Sequence, residues 1–255
     1  MSYFKDFPKE FYRFANGDQA LMQNLSLYVD VVDQVKVNSA FYENYFIQDG
    51  DRPDNVAYTL YKNPQLHWTL YIMNDSLREK GWPLSKRRIV EKAKEDFPYV
   101  TLNTHDNIGM FLKDMVVRGT VSGARGRVVY TDTSLGQVTV EPVESPVTVM
   151  IDGEPTIQYQ ILDFIADDII LDVDGDISQS ANLRSVEKEY LSAHHYTMSG
   201  EIVDYRTKSG WNDLAVEVSK LEHYQLENDA LREIRIIKPN SISAVVGVFN
   251  KAVRS

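Results

Sequence analysis

The stretch 45–74, YFIQDGDRPDNVAYTLYKNPQLHWTLYIMN, sets the clearest pattern of apolar and polar positions in the chain. Tyr45-Phe46-Ile47 is a short apolar run, and Asp49-Gly50-Asp51 is a polar turn. Val56, Ala57, Leu60 and Tyr61 then recur at helical spacing and predict an amphipathic helix. Asp51 and Asp54 place acceptors and negative charge at its start, and Pro53 fits a first turn that has no use for its missing N–H. Asn63-Pro64 stops this helix and opens a second, with Leu66, Leu70 and Met73 on one face and Trp68 and Tyr71 beside it.

The rest of the chain is less strongly punctuated. Residues 1–28 crowd Tyr3, Phe4, Phe7, Phe11, Tyr12 and Phe14 around Pro8 and Asn16-Gly17-Asp18. So aromatic a segment either packs on its own domain or docks on a partner. Val31, Val32, Val35, Val37 and Phe41 read as a short helix or helix-turn within 29–43, against the weak helical preference of Val. Gly81-Trp82-Pro83 is a stop, followed by a helix over 86–96 with Ile89, Val90, Ala93 and Phe97 inward. A strand near 99–102 is the candidate to close a sheet against 45–47. From 115 to 174 the segments 115–121, 126–131, 136–143, 147–151, 157–165 and 169–173 alternate or run apolar between Gly, Pro and Asp, as in a small antiparallel barrel or sandwich. A helix within 213–232, a strand over 232–238 closed by Pro239, and a last helix carrying Ile242, Val245, Val246, Phe249 and Val253 complete the reading.

The Y-x-I-x-x-G-D-like opening, the helix-start Pro, the V-A-Y-x-L-Y helix and the closing Asn74 resemble the LysM module. The version GDRPDNVAYTLYKNPQLHW, with Trp68 in its second helix, resembles the LysM-like segment of baseplate wedge proteins from T-even-type contractile-tailed phages. Trp82-Pro83-Leu84-Ser85 before a helix, and the C-terminal run ENDALREIRIIKPNSISAVVGVFNKAV, are similar to the same family. The segment GTVSGARGRVVYTDTSLGQVTV resembles a hairpin element of phage virion proteins. The resemblance implies a virion protein of the tail baseplate, assembled in the host cytoplasm. Its implied partners are other wedge proteins, neighbouring wedges and central hub proteins, with six copies per baseplate.

Composition narrows the alternatives. With no cysteine, disulfide scaffolds, thiolate zinc sites and Cys nucleophiles are excluded. No run is long and apolar enough for a membrane span, and the start MSYFKDFPKEFYRF lacks signal-peptide features. A formal net charge of −10 disfavours nucleic acid, and Lys86-Arg87-Arg88 reads as a solvated helix face. There is no G-x-S-x-G, H-x-x-x-H or H-E-x-x-H. His194 and His195 are adjacent, which on a regular element points their rings apart. Asp172-x-Asp174-Gly-Asp176 lacks the calcium-loop Gly and Glu, since Ile177 and Leu183 stand at the sixth and twelfth positions.

The expectation is therefore an α+β fold: an embedded LysM-like strand-helix-helix unit with flanking helices and an inserted small antiparallel all-β domain. The divisions are an aromatic arm at 1–28, the LysM-like domain at 29–112, the insertion at 113–176, and an α+β segment at 177–255 that returns to the LysM-like domain. The expected role is structural, without enzyme activity, metal or cofactor, joining neighbouring wedges into the ring around the hub. The alternative is a LysM-type peptidoglycan-binding protein, with or without cell-wall lytic activity. Interface candidates are Tyr3, Phe4, Phe7, Phe11, Tyr12, Phe14, Tyr61, Trp68 and Trp82.

Overall fold

The structure, a computed structural model, describes residues 9–14, 17–23, 39–105, 111–152, 154–173, 180–203 and 215–254. In chain order the elements begin with β1 (Lys9–Arg13), β2 (Gln19–Gln23), β3 (Tyr42–Phe46), α1 (Pro53–Tyr61), α2 (Trp68–Met73), α3 (Asp75–Lys80) and α4 (Lys86–Asp96). Next come β4 (Val100–Thr104), β5 (Val116–Gly119), β6 (Arg125–Asp132), β7 (Gln137–Ile151), β8 (Glu154–Ile161), β9 (Ile169–Asp172) and β10 (Ser180–Lys188). The chain ends with β11 (Ala193–Met198), β12 (Glu201–Val203), β13 (Val216–Ser219), α5 (Lys220–Ala230), β14 (Glu233–Ile237) and α6 (Ile242–Arg254). They form two compact units, Met1–Lys86 with Glu227–Ser255, and Arg87–Leu226. Among the described residues no helix is long and apolar enough to cross a membrane.

In the first unit β3 pairs antiparallel with β14, from Tyr42 opposite Ile237 to Phe46 opposite Glu233. Val56 of α1, Leu70 of α2 and Leu77 of α3 pack with Ile47, Ile234 and Ile236 into one core. Local signals place the helices. Pro53 opens α1, Lys62 ends it in a left-handed conformation (φ 57°), and the Asn63 side chain accepts the Gln65 N–H at 2.9 Å. Asn74 then ties helix to sheet. Its amide donates to Leu70 O at 2.7 Å and Arg235 O at 2.8 Å, while its oxygen accepts the Arg235 N–H at 2.8 Å. Arg232, 5% exposed, binds Asp229 and Asp49 at 2.9 Å each and donates to Leu84 O at 3.0 Å.

The second unit is built on an antiparallel sheet in the order β4-β10-β9-β5-β6-β7-β8. Because β4 also pairs with β7, six of these strands close into a barrel. Closure removes the unpaired edges that an open sheet would present. Leu102, Val117, Val128, Val138, Val140, Phe164, Ile170 and Leu183 fill its core with Phe111. A Cβ on Gly126 would lie 2.8 Å from Val140 Cβ, so this close strand approach requires glycine.

Asp168 fixes the β5–β6 turn. Its carboxylate accepts from Thr120 Oγ1 (3.2 Å), Val121 N (2.9 Å), Ile169 N (2.9 Å), and Ser122 through both Oγ (2.5 Å) and N (3.2 Å). Burial pushes this carboxyl up, but the Ser122 hydroxyl and the three backbone N–H groups outweigh it and hold it below the usual range. The side chain occupies the space where a Cβ on Gly119 would stand, 2.1 Å from Asp168 Oδ2. Elsewhere in this unit Glu189 and Lys220, both nearly fully buried, form an ion pair at 3.2 Å that Tyr130 completes by bonding to each. Glu189 also accepts the Tyr99 N–H at 3.1 Å.

The expected α+β fold, with a LysM-like unit as its body and a small all-β insertion, is overturned. The chain is mostly β, 42% strand against 29% helix, and its largest element is the closed six-stranded barrel. Two barrel strands, β4 and β10, lie on either side of the stretch 113–176. The strand foreseen near 99–102 as the partner of 45–47 is β4, which pairs with β10 and β7; β3 pairs with β14 instead. The physical reason is burial on both faces. Thr101, Leu102, Asn103 and Thr104 are all buried, so β4 shows no alternation that would assign it to a sheet. The helix expected within 213–232 starts only at Lys220, after the strand β13.

Two stability tests follow from these contacts. Asn74→Ala removes the side-chain partner of both backbone groups of Arg235, which lie at an exposed position, and is expected to cost about 0.5–1.5 kcal/mol for each hydrogen bond lost. Asn63→Ala removes one helix cap and costs about 1 kcal/mol; urea unfolding midpoints rank the two variants. Asp168→Asn is expected to be less stable than wild type by about 1–3 kcal/mol at pH 7. Since the folded carboxyl lies below its unfolded value of about 3.9, its contribution is present above that pH and disappears as pH falls through the folded value. The gap between the two proteins should therefore close under acid, read from unfolding curves at stepped pH.

Candidate functional site

Two hairpins carry apolar side chains into solvent. In the first, β1 pairs with β2 so that Phe11 faces Leu21 and Tyr12 faces Ala20. The turn is held by Phe14 N donating to Asp18 O at 2.8 Å and by Gly17, at φ 91°, donating to Phe14 O at 3.0 Å. Phe11 is 75% exposed, and Tyr12, Leu21 and Met22 are about half exposed. Tyr12 and Phe14 meet edge to face with ring centroids 5.1 Å apart. Tyr3, Phe4 and Phe7 lie outside the described residues.

The second hairpin was not foreseen as an interface. The 15-residue strand β7 serves two purposes: Gln137–Val143 lie in the barrel, and 144–151 pair only with β8, from Glu144 opposite Ile161 to Ile151 opposite Glu154. Every described residue of β8 is exposed. Cross-strand partners share a face, so Met150, Ile157, Tyr159 and Ile161 stand on one side of the ribbon with Pro146 and Pro155 between them. All four large side chains are more than 60% exposed. The alternation of Ile157, Tyr159 and Ile161 was visible in the sequence, but alternation alone reports a two-faced strand and not which side the core occupies.

Tyr61, Trp68 and Trp82 are placed differently. Each is half-buried within the first unit. The Tyr61 hydroxyl donates to Ile237 O at 2.9 Å, and burial pushes its pKa up to about 12. Trp82 donates from Nε1 to Asp51 O at 2.7 Å and packs on Tyr71. Trp68 packs on Phe249 of α6, centroids 4.8 Å apart.

Residues 16–111 match the family model described as base plate wedge protein 53. The match supports a phage baseplate wedge protein, a structural component of the virion tail that assembles with other baseplate proteins. It spans β2, β3, the helices α1–α4 and the first barrel strand, β4. No curated protein matches the chain.

Since the ribbon's apolar face contributes nothing to the barrel core, replacing Ile157, Tyr159 and Ile161 together by Ser should leave the unfolding midpoint within about 0.5 kcal/mol of wild type. The same variant should self-associate less at high concentration, measured by light scattering.

Proposed function

We propose that this chain is a structural subunit that joins neighbouring wedges into the ring around the central hub of a contractile phage tail during assembly. The match of residues 16–111 to the base plate wedge family carries this reading. In it the protein performs no catalytic step and is present in six copies per baseplate. Its binding energy comes from aromatic and aliphatic anchors desolvated against adjacent subunits, with charged rims setting register. The exposed Phe11, Tyr12, Leu21 and Met22 of the β1–β2 hairpin supply anchors of that type.

The test is assembly itself. Phe11→Ser combined with Tyr12→Ser alters only exposed positions, so the purified protein should unfold at an unchanged temperature. In cells infected with a phage whose own copy is deleted, this variant should leave isolated wedges in place of closed rings, seen by electron microscopy. Complete rings at normal yield would show that the hairpin does not join wedges.

A further inference from the structure

Three of the chain's five histidines meet at one place in the second unit. His194 and His195 come from β11, and His223 comes from the first turns of α5, which continues directly from β13. Adjacent strand residues normally point to opposite faces. Here they do not, because the β11–β13 register slips: Ala193 stands opposite Ser219 and His195 opposite Val218, leaving His194 as the extra residue of a bulge. A bulge re-aims a side chain in this way and recurs beside functional sites. His194 Nδ1 lies 2.8 Å from His195 Nδ1, and the His194 ring stacks on His223 at 3.9 Å between centroids. One ligand atom from each ring falls within 4.8 Å of the others.

We propose that His194, His195 and His223 bind a divalent first-row transition metal, Zn²⁺ foremost, as a three-histidine site with water in the fourth position. Imidazole nitrogen suits this class of ion. Tetrahedral zinc, at about 2.0–2.1 Å from each nitrogen, sets the ligand atoms roughly 3.4 Å apart. The His194 and His223 rings, stacked within 12° of parallel, must rotate about χ1 and χ2 for their lone pairs to converge on one ion. Bound there, the ion pins the start of α5 to β11.

Calorimetric titration of the full, untagged chain with ZnCl₂ tests the assignment. One equivalent should bind. His194→Gln, His195→Gln and His223→Gln should each weaken binding at least about tenfold, the lower end of what loss of a mere supporting group costs a metal site. His67→Gln and His105→Gln should bind as wild type does. Zinc should also raise the unfolding temperature of the wild type and leave the triple variant, checked for native circular dichroism, unmoved. No saturable binding, or equal binding by wild type and triple variant, would overturn the proposal.

Discussion

The first unit depends on one long-range pairing. β3 near its start and β14 near the end of the chain form a two-stranded sheet, and the apolar faces of three helices are buried only because that sheet exists. An isolated two-stranded sheet is marginal in water, so its stability must come from what packs on it. Asn74 supplies the polar part of that packing by satisfying both backbone groups of Arg235. Arg232 supplies the charged part, gathering Asp49, Asp229 and Leu84 O around one guanidinium. Neither side chain is replaceable by a residue of similar size, because each satisfies several groups at fixed angles. The whole of Arg87–Leu226 is spanned between the two paired strands. Closing so long a loop costs only slowly more entropy with length, but it delays the reward of the contact and predicts slow folding of this unit.

Local chemistry was legible in the sequence where a residue acts on its immediate neighbours. Pro53 opens α1 and Asn63 caps the next turn, as their types and spacing indicate. The helix expected over 86–96 is α4, and the strand and helix expected near the C-terminus are β14 and α6. What was not legible is who pairs with whom. Strong punctuation made the stretch 45–74 look like the body of the protein, whereas β4, buried on both faces, announced no partner. Its two neighbours are β10 and β7, far apart in sequence, and no spacing rule connects them. The histidine cluster shows the same limit. His194 and His195 diverge on a regular strand, and only the bulge, a property of the pairing with β13, turns them together.

The two exposed hairpins differ in what holds them. β1–β2 is a short pair whose apolar side chains, including Phe11, gain little from folding on themselves. The β7–β8 ribbon is a continuation of a barrel strand, so its direction is set by a rigid core before it meets any partner. Preorganisation of that sort reduces the ordering cost of binding. It also carries a hazard, since a free strand edge invites unwanted pairing. Pro155 on β8 removes one N–H from that edge and lessens it.

The boundary of the family match bears on which parts form a self-sufficient fold. It ends at residue 111, after β4 and before the next barrel strand, β5. Within it β3 lacks its partner β14, and β4 lacks both β10 and β7. The matched stretch therefore cannot satisfy its own sheet hydrogen bonds, and buried backbone groups left unpaired are costly. Physically the match covers the helices α1–α4 and one strand of each of three sheets, and the partners of β3 and β4 come from later in the chain. Any sequence sharing the matched framework must supply equivalents of β14 and of a partner for β4, from its own later residues or from a neighbouring chain.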